Sequence, residues 1–201
     1  MKLIKFLVSF CCIWFWGVIP ALSEKSSLVE LSNYFNRLDT FQANFRQFSD
    51  DGSVAKGILF IKKPGRLRID YDKPEDLLIL ASGGQLAIFD PKGDSEPTSF
   101  PLRITPFALI LAKQLNLVDS SNILSHEYNQ GETSLLLFDP EHPERGHIEL
   151  IFSGNTPILD RWVMHDESGS ITLMSIEQYR ENIPLNEMQF NIQLEIERRR
   201  N

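Results

Sequence analysis

Lys62-Lys63-Pro64-Gly65-Arg66-Leu67-Arg68-Ile69-Asp70-Tyr71 is the stretch that decides the fold. In an extended chain Leu67, Ile69 and Tyr71 share one face while Arg66, Arg68 and Asp70 share the other, the period-two pattern of a strand buried on one side. Pro64-Gly65 is a turn signal, so a second strand must arrive just before it. Residues 54–61 supply that strand, with Ile58 and Phe60 alternating around Leu59. Asp50-Asp51-Gly52 marks an earlier turn, and upstream of it Phe41, Ala43 and Phe45 alternate with Gln42, Asn44 and Arg46. Three consecutive strands at hairpin spacing therefore occupy residues 41–72.

The same rhythm continues downstream. Strands are expected at residues 77–82, 85–89, 123–128, 132–138, 147–152, 159–165, 170–179 and 188–197, with Gly83-Gly84 and Asp90-Pro91-Lys92-Gly93 among the turns. The last of these rests on the alternation of Phe190, Ile192, Leu194 and Ile196. About ten or eleven strands without helical crossovers imply one antiparallel sheet curled into a barrel or half-barrel, a mainly β fold.

Two helices interrupt the β pattern. Ser27-x-x-Glu30 is a capping box, and Leu28, Leu31, Phe35 and Leu38 follow at helical spacing, which predicts a helix over residues 27–38. Thr105-Pro106 has a hydroxyl for an N-cap and Pro for the first turn, ahead of Phe107, Leu109, Ile110 and Leu111. A helix with so little polar face must be covered on several sides. Either a core plug or a lid over a cavity meets that need.

Lys2 and Lys5 precede an apolar run over residues 6–19, and Ala21-Leu22-Ser23 has the small-x-small ending of a secretory signal, so residues 1–23 are expected to be cleaved from a single domain at residues 24–201. Both cysteines, Cys11 and Cys12, fall inside the signal, leaving an exported domain without a disulfide or a thiolate metal site. Taking Lys2 and Lys5 from the 20 basic residues leaves 18 against 27 acidic ones. That surplus of acid is the wrong sign for binding a nucleic-acid backbone. His126, His142, His147 and His165 lack the spacing of a zinc site, and the chain has no G-x-S-x-G elbow and no phosphate loop. The expectation is a binding protein with no cofactor or metal, and not an enzyme.

The opening stretch sits in a longer order of motifs: Leu38-x-x-Phe41-x-Ala43-x-Phe45-x-Gln47, Gly57-x-Leu59-x-Ile61, Pro74, the Gly83-Gly84 turn before Leu86, and Thr105-Pro106-Phe107. In that order and spacing, over residues 27–111, the chain resembles the periplasmic outer-membrane lipoprotein carriers of the LolA type. The resemblance implies an incompletely closed antiparallel β-barrel with a helical lid. It also implies a periplasmic monomer that receives triacylated lipoproteins from an inner-membrane ABC transporter and hands them to an outer-membrane acceptor. The family's lid-closing Arg-Pro pair falls on Lys63-Pro64, so the resemblance makes Lys63 the latch, with Arg66 as its substitute. It assigns the acyl-chain lining to Phe41 and Phe45, Leu59 and Ile61, and Leu67, Ile69 and Tyr71. Phe107, Leu109, Ile110 and Leu111 would add the lid's share.

Overall fold

Ser27 opens the first element as its sequence dictates. Its hydroxyl accepts from the Glu30 amide, and the Glu30 carboxylate accepts from the Ser27 amide at 2.7 Å, closing the capping box. Helix α1 then runs Leu28–Arg37 and buries Leu31, Tyr34 and Phe35. The computed structural model describes residues 24–93 and 96–200. The expected signal peptide lies outside them.

Eleven strands follow: β1 (Thr40–Ser49), β2 (Val54–Lys62), β3 (Arg66–Tyr71), β4 (Leu78–Ser82), β5 (Gln85–Phe89), β6 (Thr98–Pro101), β7 (Ile123–Asn129), β8 (Glu132–Phe138), β9 (His147–Ser153), β10 (Ile158–His165) and β11 (Ile171–Glu181). They form one antiparallel sheet in the order β6-β5-β4-β3-β2-β1-β11-β10-β9-β8-β7. The first and last strands meet in the middle of the sheet, β6 and β7 remain at its two edges, and the barrel is not closed.

Register carries the alternation of one strand across the next. Phe41 faces Ile61, Ile61 faces Leu67, Leu67 faces Ala81 and Ala81 faces Leu86. On the other side of the seam Met174 faces Trp162, Trp162 faces Leu150 and Leu150 faces Leu135. All of these belong to one apolar cluster on the inner face of the sheet. At one point the layer has no side chain: Gly57 lies between Phe45 of β1 and Tyr71 of β3, whose rings meet edge to face at 5.1 Å.

The C-terminal segment corrects the expected strand at residues 188–197. Glu187–Phe190 form a 3₁₀ turn, and Ile192–Arg200 form helix α3. Ile192 and Ile196 lie four residues apart and so share a helix face, which covers Leu78, Leu80, Ala87 and Phe89 on the outer face of β4 and β5. Covering that outer apolar patch overrides the local alternation. Glu195 accepts from Arg199 one turn on at 3.0 Å, and the Arg199 guanidinium sits 5.0 Å above the Phe89 ring. Arg68 on β3 grips Asp70 with two bonds of 2.7 Å and donates to the Gln189 carbonyl at 2.9 Å, tying the strap to the sheet. The eleventh strand is instead β6, hidden in sequence by Pro97 and Pro101 at its ends; an edge strand tolerates proline there.

The second expected helix is shorter than its sequence suggests. A 3₁₀ turn, Leu102–Ile104, precedes it, and α2 covers only Phe107–Ile110. The Thr105 hydroxyl does not cap it; it donates back to the Leu102 carbonyl at 2.8 Å, and Pro106 is the N-cap residue.

Candidate functional site

Residues 102–122 run from one free edge of the sheet to the other, and on the way Phe107, Ile110, Leu111, Leu115 and Leu117 bury themselves in the inner-face cluster. This segment and α1 together roof the half-barrel. α1 is fixed at both ends: before it, the Ser26 amide donates to Thr133 Oγ1 on β8 at 2.9 Å, and after it the chain passes directly into β1. The loop is held by polar bonds to backbone. Asn36 Nδ2 donates to the Leu115 carbonyl at 3.0 Å while its Oδ1 accepts from the Leu115 amide at 2.8 Å. Ser32 Oγ accepts from the Leu117 amide at 3.0 Å, and the Gly65 amide in the β2–β3 turn donates to the Leu111 carbonyl at 2.9 Å.

The structure brings all the expected lining residues into one cluster. Phe41, Phe45, Leu59, Leu67, Ile69, Phe107, Ile110 and Leu111 are buried in it, and Ile61, Tyr71 and Leu109 pack against it half-buried. Between roof and floor remains a cleft of about 20 Å³, room for roughly one water molecule. Its walls include Tyr34, Leu159 and Trp162, which the sequence reading missed. The helical spacing of Tyr34 after Leu31 could have found one of them. Trp162 carries no signal beyond its place in a strand.

Lys63 reaches the roof. Its Nζ donates to the Phe35 carbonyl in the last turn of α1 at 2.7 Å and lies 5.8 Å from the Phe35 ring. Burial holds its ammonium below the ordinary 10.5, with Asp39 acting weakly the other way. Arg66 goes elsewhere: with Lys62 it pairs to Glu187 in the C-terminal strap.

The inner face of the half-barrel is therefore apolar, and its roof is tied down by hydrogen bonds to backbone. Residues 36–193 match the sequence profile of the outer membrane lipoprotein carrier protein LolA. The chain belongs to the LolA family. Two named relatives are similar to it over most of their length. An outer-membrane lipoprotein carrier protein of Nitrosomonas europaea is 29% identical over 82% of this chain and 84% of its own. One of Chromobacterium violaceum is 25% identical over 83% of each. Among solved structures, a DUF1329 family protein of Desulfovibrio piger aligns with a TM-score of 0.51 at 12% identity, covering 83% of this chain and 95% of that one, a likeness of fold.

In this LolA-family chain the Lys63 bond has a testable size. A hydrogen bond contributes about 0.5–1.5 kcal/mol net, and burial of the ammonium offsets what its charge adds, so Lys63→Leu should leave the fold intact and shift the closed-to-open ratio roughly threefold toward open. Faster hydrogen exchange of the amides of α1 and residues 111–117, with unchanged circular dichroism, is the expected result; unchanged exchange would place the latch elsewhere. The bond also carries a pH sign. Opening returns Lys63 to water and to 10.5, so the closed form binds fewer protons between the lowered value and 10.5. Raising pH through that window therefore favours closure. Exchange of the same amides, corrected for its intrinsic pH dependence, should slow across it in the wild type and stay flat in Lys63→Leu.

Proposed function

We propose that this protein is a periplasmic carrier that takes the acyl chains of triacylated lipoproteins between its half-barrel and its roof. In this reading it works as a monomer, loading from an inner-membrane ABC transporter and delivering to an outer-membrane acceptor. The observation that carries the proposal is an apolar interior whose cleft beside Trp162 has only about 20 Å³, beneath a roof held by polar bonds to backbone. Each buried methylene of an acyl chain gains about 0.8 kcal/mol, and a rigid, open cavity would keep its load. A site that must separate its own apolar surfaces to admit the guest offsets that gain, so the load stays transferable. α2 has clefts on both flanks, the small one beside Ile110 and one of about 180 Å³ beside Leu109 and Leu137, which supports a moving lid over a fixed plug. The surplus of acidic residues keeps the carrier off anionic membrane surfaces.

The test is transfer. Vesicles bearing a triacylated lipopeptide are incubated with the purified protein, and the supernatant is assayed for a soluble one-to-one complex by native mass spectrometry. Lipopeptide released into that complex is the expected result. Release of free fatty acid or phospholipid alone would make the protein a binder of another amphiphile, and no release would end the carrier reading.

A further inference from the structure

Helix α3 covers the outer face of β4 and β5, so the chain supplies its own cover where those strands are apolar on both sides. A second such stretch has no cover among the described residues. Val54 on β2 faces Phe48 on β1, Phe48 faces Leu173 on β11, and Leu173 faces Val163 on β10. This cross-strand row alternates with the buried Ala55, Met174 and Trp162 and so lies on the opposite face of the sheet, and Ile171 extends it two residues along β11. Phe48 is 38% exposed, Ile171 42% and Val54 49%. Single exposed apolar side chains are ordinary, whereas a contiguous row of them on a bare sheet face marks a surface that another molecule covers. Four strands at ~4.8 Å spacing make the row about 14 Å long, the length of roughly ten helical residues. The chain's own α3, with 9 residues, is a helix of that size.

The border of the row has a sign. Asp50 and Asp51 occupy the β1–β2 turn and Asp166 and Glu167 the β10–β11 turn, and neither turn contains a base. Asp50 Oδ2 accepts from the Ile171 amide at 2.7 Å, which fixes the two turns side by side at the end of the row. Hydrogen bonds from Ser53 and Ser168 hold the Asp51 and Asp166 carboxyls below the usual carboxylate range, so this border stays charged. Toward the other end of the strands Arg46 is neutralised by Glu177 and Arg161 by Glu132, which leaves Lys56 as the unpaired base there among the described residues. An acidic border beside an apolar row repels an anionic membrane surface and suits a protein whose own apolar stripe is flanked by Lys or Arg.

We infer that the outer face of β2, β1, β11 and β10 is a docking surface for an amphipathic helix of a partner protein. Its apolar stripe lies across Val54, Phe48, Leu173 and Val163, and its basic flank meets the two acidic turns. This surface is on the far side of the sheet from the roofed interior, so partner docking and acyl binding use separate faces of one wall. The inference goes beyond the carrier reading and stands without it.

The experiment uses a fluorescent stapled helix with leucine on one face and lysine on the rest, beside a comparator in which glutamate replaces lysine. By anisotropy at low salt the lysine helix should bind roughly tenfold or more tightly than the glutamate helix, and added salt should narrow the gap. Bound lysine helix should slow amide exchange within residues 48–54 and 163–173. Phe48→Ser combined with Ile171→Ser, with unchanged circular dichroism, should weaken the lysine helix roughly tenfold. Asp51→Asn combined with Glu167→Gln should weaken it less and flatten its salt dependence, and uptake of an acyl reporter should be unchanged in both variants. Equal binding of the two helices, or full affinity in the serine variant, would overturn the docking surface and leave the carrier reading standing. Displacement of the lysine helix by an acyl ligand would place that helix in the interior and overturn the surface as well. Dimerisation of the wild type that the serine variant loses would give the face to a second copy and overturn the partner. Should the serine variant not fold, the charge variant decides alone: unchanged affinity and salt dependence there would sink the inference.

Discussion

Oxidation of a cysteine pair introduced by Asn36→Cys and Leu115→Cys is expected to lower acyl-ligand uptake roughly a hundredfold or more, since the open form would be removed from the population, and reduction should restore it. Positions 36 and 115 are already joined by two hydrogen bonds between the Asn36 side chain and the Leu115 backbone, so they lie close in the closed form. A disulfide makes that contact permanent. It fastens the loop after α2 to a helix that is itself anchored to β8 in front and β1 behind. The two native cysteines lie at positions 11 and 12, and replacing both by serine leaves one thiol pair to oxidise. Mass spectrometry establishes the cross-link and circular dichroism the fold. Full uptake in the oxidised protein would mean that the segment at residues 102–117 is a fixed plug and that ligand enters by another route.

The second large effect is expected from Gly57→Ala. A Cβ there would stand 2.0 Å from the Asp70 carbonyl oxygen and 2.8 Å from two carbons of the Phe45 ring, and the first of these neighbours is backbone of the adjacent strand. Such a clash cannot be relieved by a rotamer change. β2 and β3 must separate locally, and Phe45 must also shift from its edge-to-face contact with Tyr71, whose hydroxyl donates to Gln47 at 2.6 Å and is pushed up to about 12 by burial. Overpacking of this kind costs about 1–3 kcal/mol and sometimes more, which should appear as a melting temperature lower by roughly 5 °C or more. Thermal unfolding followed by circular dichroism checks it. An unchanged melting temperature would show that the strand pair yields freely at Gly57.

The strands that could be read in the sequence are those whose two faces meet different surroundings. β3, with Leu67, Ile69 and Tyr71 inside and Arg66, Arg68 and Asp70 outside, is the clearest, and its neighbours follow by register. Local reading failed where a segment is shaped by a surface distant in sequence. Ile192 to Ile196 alternate like a strand, yet they fold as a helix because the backs of β4 and β5 are apolar and need a cover. β6 is four residues long and flanked by prolines, so no window was wide enough to show a period. The site followed the same rule. Residues on alternating strands could be named in advance, whereas Asn36 and Ser32 act through backbone atoms some eighty residues away and leave no mark in a local pattern.

The helix on the outside of β4 and β5 makes the two walls of the half-barrel mechanically unequal. On that side the sheet is one ply of a laminate, pressed from within by the roof and from behind by α3. On the side of β7 to β10 no helix backs the sheet among the described residues, and Leu124 and Ile158 are exposed. If the proposed carrier function holds, a guest that forces the interior wider would strain the thinner wall first, because bending stiffness rises with the number of bonded layers. The laminated wall would then keep its register as a fixed jaw, and the single-ply wall, which carries Trp162, would be the compliant one.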